Sequence, residues 1–480
     1  MDSRKDNWNA LKQLARELVP RRTPLASAHG PFNLLPNELV HKIAKSIKSV
    51  ADLHSLALTS WRLNAIASEY LYAQYSFKLS DWPSRVQLDK SGRDPSLFIR
   101  ALLEKPGLTR FVKIVHIDLA DSWLDRTRWR ISEEMPPTKK WWRSGVRQLL
   151  DTPVAGQCIS RASPQFGRPE ESLEDRMELI LLLLPKIEKL TIMLWFVRNR
   201  SPGQAVGQRI FDLLASSSSA QEHIGLHGFK HLTELKIQFT APAPELNDRD
   251  QLAMEAKIST ILRLPTLKNL YLKNLKITNV LSIGECPRRA SKVRCLQMHG
   301  VALHATVWKA FFNCFRSLEE LEIVLPRGGL KHLLVSLEVQ KDSLASLQLS
   351  GSQKIRKPQE SSRHTFGAFH KIAELRIWLS MVWLDEDEYE GLPAPLVWDT
   401  LKHVLPPNLQ TLIIYNNFRT NTTYTLTDQV PTTKQWGELI KKEEYPHLSE
   451  VFFMNEVNFG ERDAYPMRSQ PCFSWCPGRQ

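Results

Sequence analysis

One short apolar pattern, Leu-x-x-Leu-x-Leu with aliphatic replacements, recurs nine times in the sequence. Its copies begin at Ile187, Leu232, Leu267, Val293, Leu318, Leu344, Ile372, Leu409 and Leu448. The second apolar positions of the central copies are Leu270, Leu296, Leu321, Leu347 and Leu375, at spacings of 26, 25, 26 and 28 residues. A nearly fixed period of this size is typical of a chain that stacks one supersecondary unit on the next.

Segments with helical spacing of apolar residues lie between several of these copies. They span residues 172–184, 250–264, 306–316, 398–405 and 432–442. A strand followed by a helical return and an adjacent strand predicts a parallel sheet, because parallel neighbours need a long crossover. In each strand the Leu-x-Leu side chains point into the core, and the residues between them point to the opposite face. The sequence therefore predicts an α/β fold.

The repeated phrase resembles leucine-rich repeats over residues 108–456. The Asn or Cys that usually follows the third apolar position is mostly missing, and Asn274 is the nearest case, so the repeats are irregular and degenerate. The resemblance implies a solenoid with parallel strands on its concave face and helices on its convex face. The alternative, from the residues alone, is a globular α/β domain with leucine-rich strands.

A second apolar segment, residues 32–77, precedes the repeats and predicts three short helices. Leu39, Ile43 and Ile47 recur at steps of four after Pro36, which gives the first helix one apolar face. A lone domain of roughly 45 residues buries too little surface to be secure. Since the segment is apolar on more than one face, we expect part of it to be buried on a partner. The alternative is a helical cap packed on its own protein.

Serine and aspartate residues mark the expected starts of the later helices. Asp52 is the predicted N-cap of the second helix, and Ser60 is the predicted N-cap of the third. The third helix then carries an apolar stripe that ends at Leu71.

The order and spacing of these residues resemble an F-box, in the form common in fungal proteins. The matching residues are Leu35-Pro36-x-Glu38-Leu39-x-x-x-Ile43, Asp52-Leu53-x-x-Leu56-x-Leu58-x-Ser60, Leu63-x-x-Ile66-Ala67 and Leu71-Tyr72. The resemblance implies docking to a Skp1-like adaptor and, through it, to a cullin-RING ubiquitin ligase. The Skp1-binding residues it implies are Leu35, Pro36, Leu39, Ile43, Leu53, Leu56, Leu58 and Leu63.

The expected domain organisation follows from these two features. It comprises a weakly ordered leader (1–31), the F-box-like module (32–77), a linker or helical connection (78–107), the repeat domain (108–456) with an insertion at about 120–172, and a C-terminal tail (457–480). No run of ~20 apolar residues predicts a membrane span, and the charged start is unlike a signal peptide. The six scattered cysteines indicate a reducing compartment, so we expect a cytoplasmic or nuclear protein.

The face of the strands that points away from the core, which would be the inner, concave surface of the solenoid, changes character along the repeats. It is mixed and polar through the middle and apolar or aromatic near the C-terminal end, where Trp378, Ile413, Tyr415 and Phe452 occur. Surface aromatic residues are the usual anchors of an interface. These four residues are therefore the predicted client-binding site. The alternative is that the C-terminal tail folds over them.

No catalytic motif accompanies these features, so we expect a non-catalytic adaptor without a cofactor or metal. One alternative is a scaffold that binds Skp1 but has no ligase role. Another is an RNA-associated protein, because Trp123, Trp129, Trp141 and Trp142 alternate with basic residues and the net charge is +13. We do not expect a nucleic-acid partner, because this insertion lacks a known domain pattern. A metal site at His223, His227 and His231 is disfavoured, because glycines interrupt the helix it needs.

Overall fold

The structure is a computed structural model, and its described residues fall into separate ranges. These are 35–78, 95–119, 173–194, 210–211, 213–215, 229–239, 248–279, 283, 286–304, 306–325, 329–351, 366–378, 405–416, 445–455 and 470–475. The chain divides into two compact units, Met1–Tyr72 and Ala73–Gln480, called here the helical unit and the sheet unit. The predicted leader and the predicted insertion at 120–172 lie outside the described residues. No helix in the described ranges has the length and apolar composition needed to cross a membrane.

Three short helices form the described part of the helical unit. They are α1 (Asn37–Ser46), α2 (Val50–Thr59) and α3 (Trp61–Leu71). The predicted cap of α3 is confirmed, because the Ser60 hydroxyl accepts a hydrogen bond from the Leu63 amide at 3.2 Å. The predicted cap of α2 is wrong. Ser49 caps that helix by accepting from the Asp52 amide at 3.3 Å, so Asp52 lies in the first turn.

A small apolar core holds these three helices together. Val40, Ala44, Leu53, Leu63 and Ile66 are buried in it. The partly buried side chains of Leu35, Ile47, Leu56, Tyr70 and Leu71 pack around it. The apolar stripes predicted from the sequence therefore meet inside the unit, but only a few of their side chains are fully covered.

Twelve strands within the described residues form one sheet in the sheet unit. Ten come first: β1 (Gln74–Lys78), β2 (Ile114–Asp118), β3 (Lys189–Leu194), β4 (Glu234–Phe239), β5 (Asn269–Lys273), β7 (Cys295–His299), β9 (Glu320–Leu325), β10 (Ser346–Gly351), β11 (Glu374–Trp378) and β12 (Thr411–Asn416). Then follow β13 (Glu450–Asn455) and β14 (Gln470–Trp475). The short strands β6 (Lys276–Ile277) and β8 (Ala302–Leu303) pair separately. Strands β1 to β13 of the large sheet are parallel in chain order, and β14 is antiparallel to β13.

All nine copies of the repeated phrase coincide with strands, so the predicted α/β fold with a parallel sheet is confirmed. Each of these strands begins two residues after the first apolar position of its copy. The ladders place equivalent positions side by side, and Leu270, Leu296, Leu321 and Leu347 form one continuous buried row. The buried rows of neighbouring strands therefore form the apolar core of the unit.

Helices supply several crossovers between the parallel strands. They are α4 (Pro95–Glu104), α5 (Leu173–Leu183), α6 (Asp248–Ile261), α7 (Val307–Asn313) and α8 (Gly329–Leu337). Short 3-10 helices lie at Pro106–Arg110, Glu338–Gln340 and Phe366–Ala368. Trp308, Phe311 and Phe312 of α7 are buried together with Phe315. The helix predicted at 432–442, and all but the last residue of the helix predicted at 398–405, lie outside the described residues.

The sheet extends beyond the predicted repeat domain at both ends. All of strand β1 except Lys78 lies inside the range predicted for the helical module, and the boundary between the two units falls at Tyr72. Strand β14 lies in the predicted tail and covers the edge of β13. Neither strand carries the repeated phrase. A strand at an edge needs fewer buried side chains, and an exposed edge is commonly covered by another segment.

Candidate functional site

The helical unit exposes several large apolar side chains to solvent. Within the described residues, seven large apolar side chains are classed as exposed, and four of them belong to this small unit. They are Leu39, Val50, Leu58 and Trp61, called here the exposed apolar set. Leu58 and Trp61 have 69% and 85% of their surface accessible. Large apolar side chains that are exposed together on so small a unit are typical of an interaction site.

Helix α2 buries some of its apolar residues and exposes others. On α2, Leu53 and Ala57 are four residues apart and are buried. Val50 and Leu58 lie near the two ends of α2, and both are exposed. Trp61 follows at the first position of α3. Two large apolar side chains that the unit does not cover, Leu58 and Trp61, therefore flank the turn between α2 and α3.

The predicted Skp1-binding residues divide into two groups in the structure. Pro36, Leu39 and Leu58 are exposed, and Leu35, Ile43 and Leu56 are half-buried. Leu53 and Leu63 are buried in the core of the unit, where they hold the helices together, and their contact with Skp1 stays a prediction. Val50 and Trp61 were not predicted. Each of these two residues directly follows the serine that caps its helix, and a large apolar residue at that first helical position is the sequence feature that could have indicated them.

An arginine on α3 fixes the start of α1. Arg62 Nε donates to Asn37 Oδ1 at 2.9 Å, and Arg62 Nη2 donates to the same oxygen at 2.7 Å. Arg62 Nη2 also donates to the Leu35 carbonyl. These bonds hold the Leu35-Pro36 turn against α3. The exposed Pro36 ring therefore has a fixed position relative to the rest of the unit.

Polar side chains contact one another across four strands, on the face of the sheet opposite the buried apolar rows. His299 Nε2 lies 2.9 Å from Glu322 Oε1, and Gln348 Nε2 donates to the same oxygen at 3.1 Å. The rings of Tyr271 and His299 are 5.1 Å apart. Burial raises the pKa of Tyr271 to about 12, and the negative charge of Glu322 adds to the rise. This polar row gives the middle of the sheet face a fixed pattern of donors and acceptors.

The predicted client-binding residues lie on the next three strands. Trp378 pairs in register with Tyr415, and Ile413 pairs with Phe452. Tyr415 and Phe452 are half-buried, whereas Ile413 is only 8% accessible and is not an exposed anchor. Ile413 is covered because it lies between Arg376 and Phe452 in the ladder. The Trp378 side chain lies outside the described part of the structure.

The edge of this region is formed by a piece of the predicted tail. Arg376 hydrogen bonds to Glu374 on its own strand and to Tyr415 on β12. Phe452, on β13, pairs in register with Ser474 of β14. The described part of the tail therefore extends the sheet along its edge. The face next to Tyr415 is a mixed aromatic and ionic surface.

The other predicted signals give little in the described residues. His223 and His227 lie outside them, and no group of three His, Cys, Asp or Glu side chains is placed to hold a metal among the residues described. Asn274, the nearest match to the repeat asparagine, donates from Nδ2 to the Phe239 carbonyl at 2.7 Å and so ties β5 to the end of β4.

No known family model matches this chain, and no curated protein matches it at a significant level.

Proposed function

We propose that this chain is a non-catalytic substrate-recognition adaptor of an SCF-type (Skp1-cullin-F-box) ubiquitin ligase. The observation that supports this most is the exposed apolar set of the helical unit. Leu58 and Trp61 are open to solvent, although the core that includes Leu53 and Leu63 is complete without them. The helical unit therefore exposes an apolar surface that its own core does not require.

Burial of that surface would supply enough free energy for a stable contact. Covering one large apolar side chain is worth roughly 1.5–3 kcal/mol. Several such side chains on one partner would favour binding even after the loss of rotational and translational freedom. The F-box-like spacing from Leu35 to Tyr72 supports a Skp1-like protein as that partner. The same spacing is the basis for the further link to a cullin.

The sheet unit would hold the client protein. The proposed arrangement is an irregular leucine-rich-repeat solenoid whose strand face carries the polar row and, beside it, Tyr415 and Phe452. An aromatic anchor next to fixed hydrogen-bonding groups is a common design of protein interfaces. The adaptor would then act by position. It would raise the effective concentration of client lysines near a charged ubiquitin-conjugating enzyme, with no bond chemistry of its own.

Co-purification of the full chain with Skp1 and a cullin tests this proposal. In a Leu58→Glu/Trp61→Glu variant, we expect Skp1 recovery to fall at least about tenfold, because two charges would have to be buried in an apolar contact. The unchanged far-UV circular dichroism of the variant would show that the helices still form. Skp1 recovery without any cullin in the wild type would instead indicate a scaffold role.

A matched control comes from the sheet unit. Val335 and Val339 are also exposed apolar residues, on α8 and the following 3-10 helix. A Val335→Glu/Val339→Glu variant adds the same two charges and should recover Skp1 like the wild type. Equal recovery by all three proteins would refute docking through the exposed apolar set.

A further inference from the structure

A cleft of about 790 Å³ lies where the strands of the central repeats begin. Its walls include Glu188, Lys268 and Arg294, which directly precede the first residues of β3, β5 and β7. These three residues therefore occupy equivalent positions in different repeats. Lys230, Lys292 and Arg316 come from the loops that lead into β4, β7 and β9. We call this site the strand-start cleft.

The charge in the strand-start cleft is strongly positive and largely unneutralised. Its one acidic residue, Glu188, pairs with Lys113 Nζ at 2.8 Å. Arg294 pairs with Glu319 at 3.2 Å. The remaining cations are Lys230, Lys268, Lys292 and Arg316, and among the described residues none of their side chains has an ion-pair partner.

Four like charges around one cleft repel each other, and they attract anions to it. Other charged side chains in this region of the sheet unit do form ion pairs, such as Lys189 with Glu234 at 2.7 Å. The four cations are exposed, so they are accessible to a ligand. A cleft lined by one sign of charge raises the local concentration of ligands of the opposite sign. An anionic ligand is therefore the class that fits this site.

The spacing of the cations fits an extended chain. Neighbouring strands lie about 4.8 Å apart, so positions that lead into β4, β5, β7 and β9 spread over roughly 14 Å. An extended peptide advances about 3.3 Å per residue, so four or five residues cover that length. Alternate side chains of such a peptide point the same way. Two or three carboxylates on one side could therefore contact all four cations.

The composition of the walls separates an acidic peptide from a nucleic acid. No Phe, Tyr or Trp lines the described walls, so the cleft offers no platform on which bases could stack. Three of the four cations are lysines, which act as point charges and lack the two-pronged geometry that arginine offers to phosphates. We propose that the strand-start cleft binds an acidic peptide segment of a partner protein. The proposal concerns the sheet unit alone and stands whether or not the chain docks Skp1.

Fluorescence anisotropy with the full chain tests this binding. The probe is a labelled ten-residue peptide of alternating Glu and Ser, compared with the same peptide carrying Gln in place of Glu. The variant is Lys268→Gln/Lys292→Gln/Arg316→Gln. We expect its affinity for the Glu peptide to fall at least about tenfold, because three exposed charge contacts are lost, and we expect salt to weaken wild-type binding.

The matched control removes three charges elsewhere. Lys42, Lys45 and Lys48 are exposed in the helical unit, and a Lys42→Gln/Lys45→Gln/Lys48→Gln variant has the same net charge as the cleft variant. Its affinity for the Glu peptide should stay within about twofold of the wild type. Equal weakening by both variants would overturn the proposal, as would equal binding of the Gln peptide.

Two further measurements complete the test. A single Lys292→Gln variant, which changes one exposed side chain, should show a smaller loss of affinity with an unchanged melting temperature. Tighter binding of a ten-nucleotide thymidine strand than of the Glu peptide would overturn the acidic-peptide proposal and indicate a nucleic-acid site.

Discussion

The two units of the chain handle apolar side chains in opposite ways. In the sheet unit, each Leu-x-Leu pair packs in register against the pair of the next strand, and the rows are buried. In the helical unit, three short helices enclose a small core and leave Leu58 and Trp61 in solvent. Stacked strands can therefore bury their apolar rows within one sheet, whereas a unit as small as the helical unit leaves part of its apolar surface in solvent.

The two units each contain a tryptophan at a helix, and this pair gives the largest expected difference. Trp308 on α7 is 1% accessible and stacks on Phe312 with ring centroids 6.0 Å apart, whereas Trp61 is 85% accessible. Trp308→Ala should lower the free energy of unfolding of the sheet unit by about 3–5 kcal/mol, because it leaves a large cavity. Trp61→Ala should change the stability of the helical unit by less than about 0.5 kcal/mol.

Urea titrations followed by far-UV circular dichroism measure both values. Trp308→Phe is a useful control, because it keeps much of the buried ring and should cost less than Trp308→Ala. If Trp61→Ala destabilised the helical unit as much as Trp308→Ala destabilises the sheet unit, Trp61 would be part of a core and the contrast between the units would fail.

Polar ties inside the two units also differ in how deeply they are buried. Gln340 is 3% accessible; its Oε1 accepts from the Leu318 amide at 3.1 Å, and its Nε2 donates to the Phe312 and Phe315 carbonyls, both at 3.0 Å. Gln340→Met keeps the length but removes all three bonds, and the Leu318 amide and the Phe315 carbonyl lose the partner that Gln340 supplies, whereas the Phe312 carbonyl still accepts from the Phe315 amide at 3.3 Å. It should destabilise the sheet unit by about 1–3 kcal/mol, the usual cost of unsatisfied buried groups.

Arg62→Met is the corresponding change in the helical unit. Its bonds to Asn37 are exposed to solvent, so water can replace them and the loss should stay below about 1 kcal/mol. Chemical denaturation of both variants measures the difference. A smaller loss for Gln340→Met than for Arg62→Met would contradict the view that the sheet unit depends on buried contacts and the helical unit on surface ones.

The repeated phrase was enough to predict most of the sheet. Its period of two places one row of leucines on a buried face, and a spacing in the twenties leaves room for a crossover, so all nine strands and their parallel order follow from the sequence. The same reasoning could not find β1 or β14, because edge strands need no such row. Phe77 is the only residue of β1 that is buried.

The candidate site was harder to predict, because accessibility depends on neighbours that are distant in sequence. Ile413 has the position of an outward residue, yet the strands on both sides cover it. Leu53 and Leu58 are both apolar positions of α2, and only the packing of α3 decides that one is buried and the other exposed. The strand-start cleft joins loops from several repeats, so no local pattern marks it.

The last expected effect concerns two tyrosines and arises only at alkaline pH. Burial raises the pKa of Tyr271 from its ordinary value of 10.0 to about 12, and burial also raises the pKa of Tyr70, with Glu69 adding to the rise. A raised pKa in the folded state means that the unfolded chain loses its proton first. The stability from the protonated hydroxyl is therefore complete below pH 10 and is lost between about pH 10 and 12 for Tyr271.

Absorbance at the tyrosinate wavelength, measured as the difference between the wild type and a Tyr271→Phe variant, gives the pKa of Tyr271 directly. The difference with Tyr70→Phe does the same for the helical unit. We expect both tyrosines to ionise above 10.0, and we expect the wild type to lose more stability than Tyr271→Phe between pH 10 and 12. Ionisation of Tyr271 at its ordinary pKa would show that the polar row is open to water. The polar row of the sheet unit would then be as accessible to solvent as the surface of the helical unit, and the two units would differ there only in which side chains they carry.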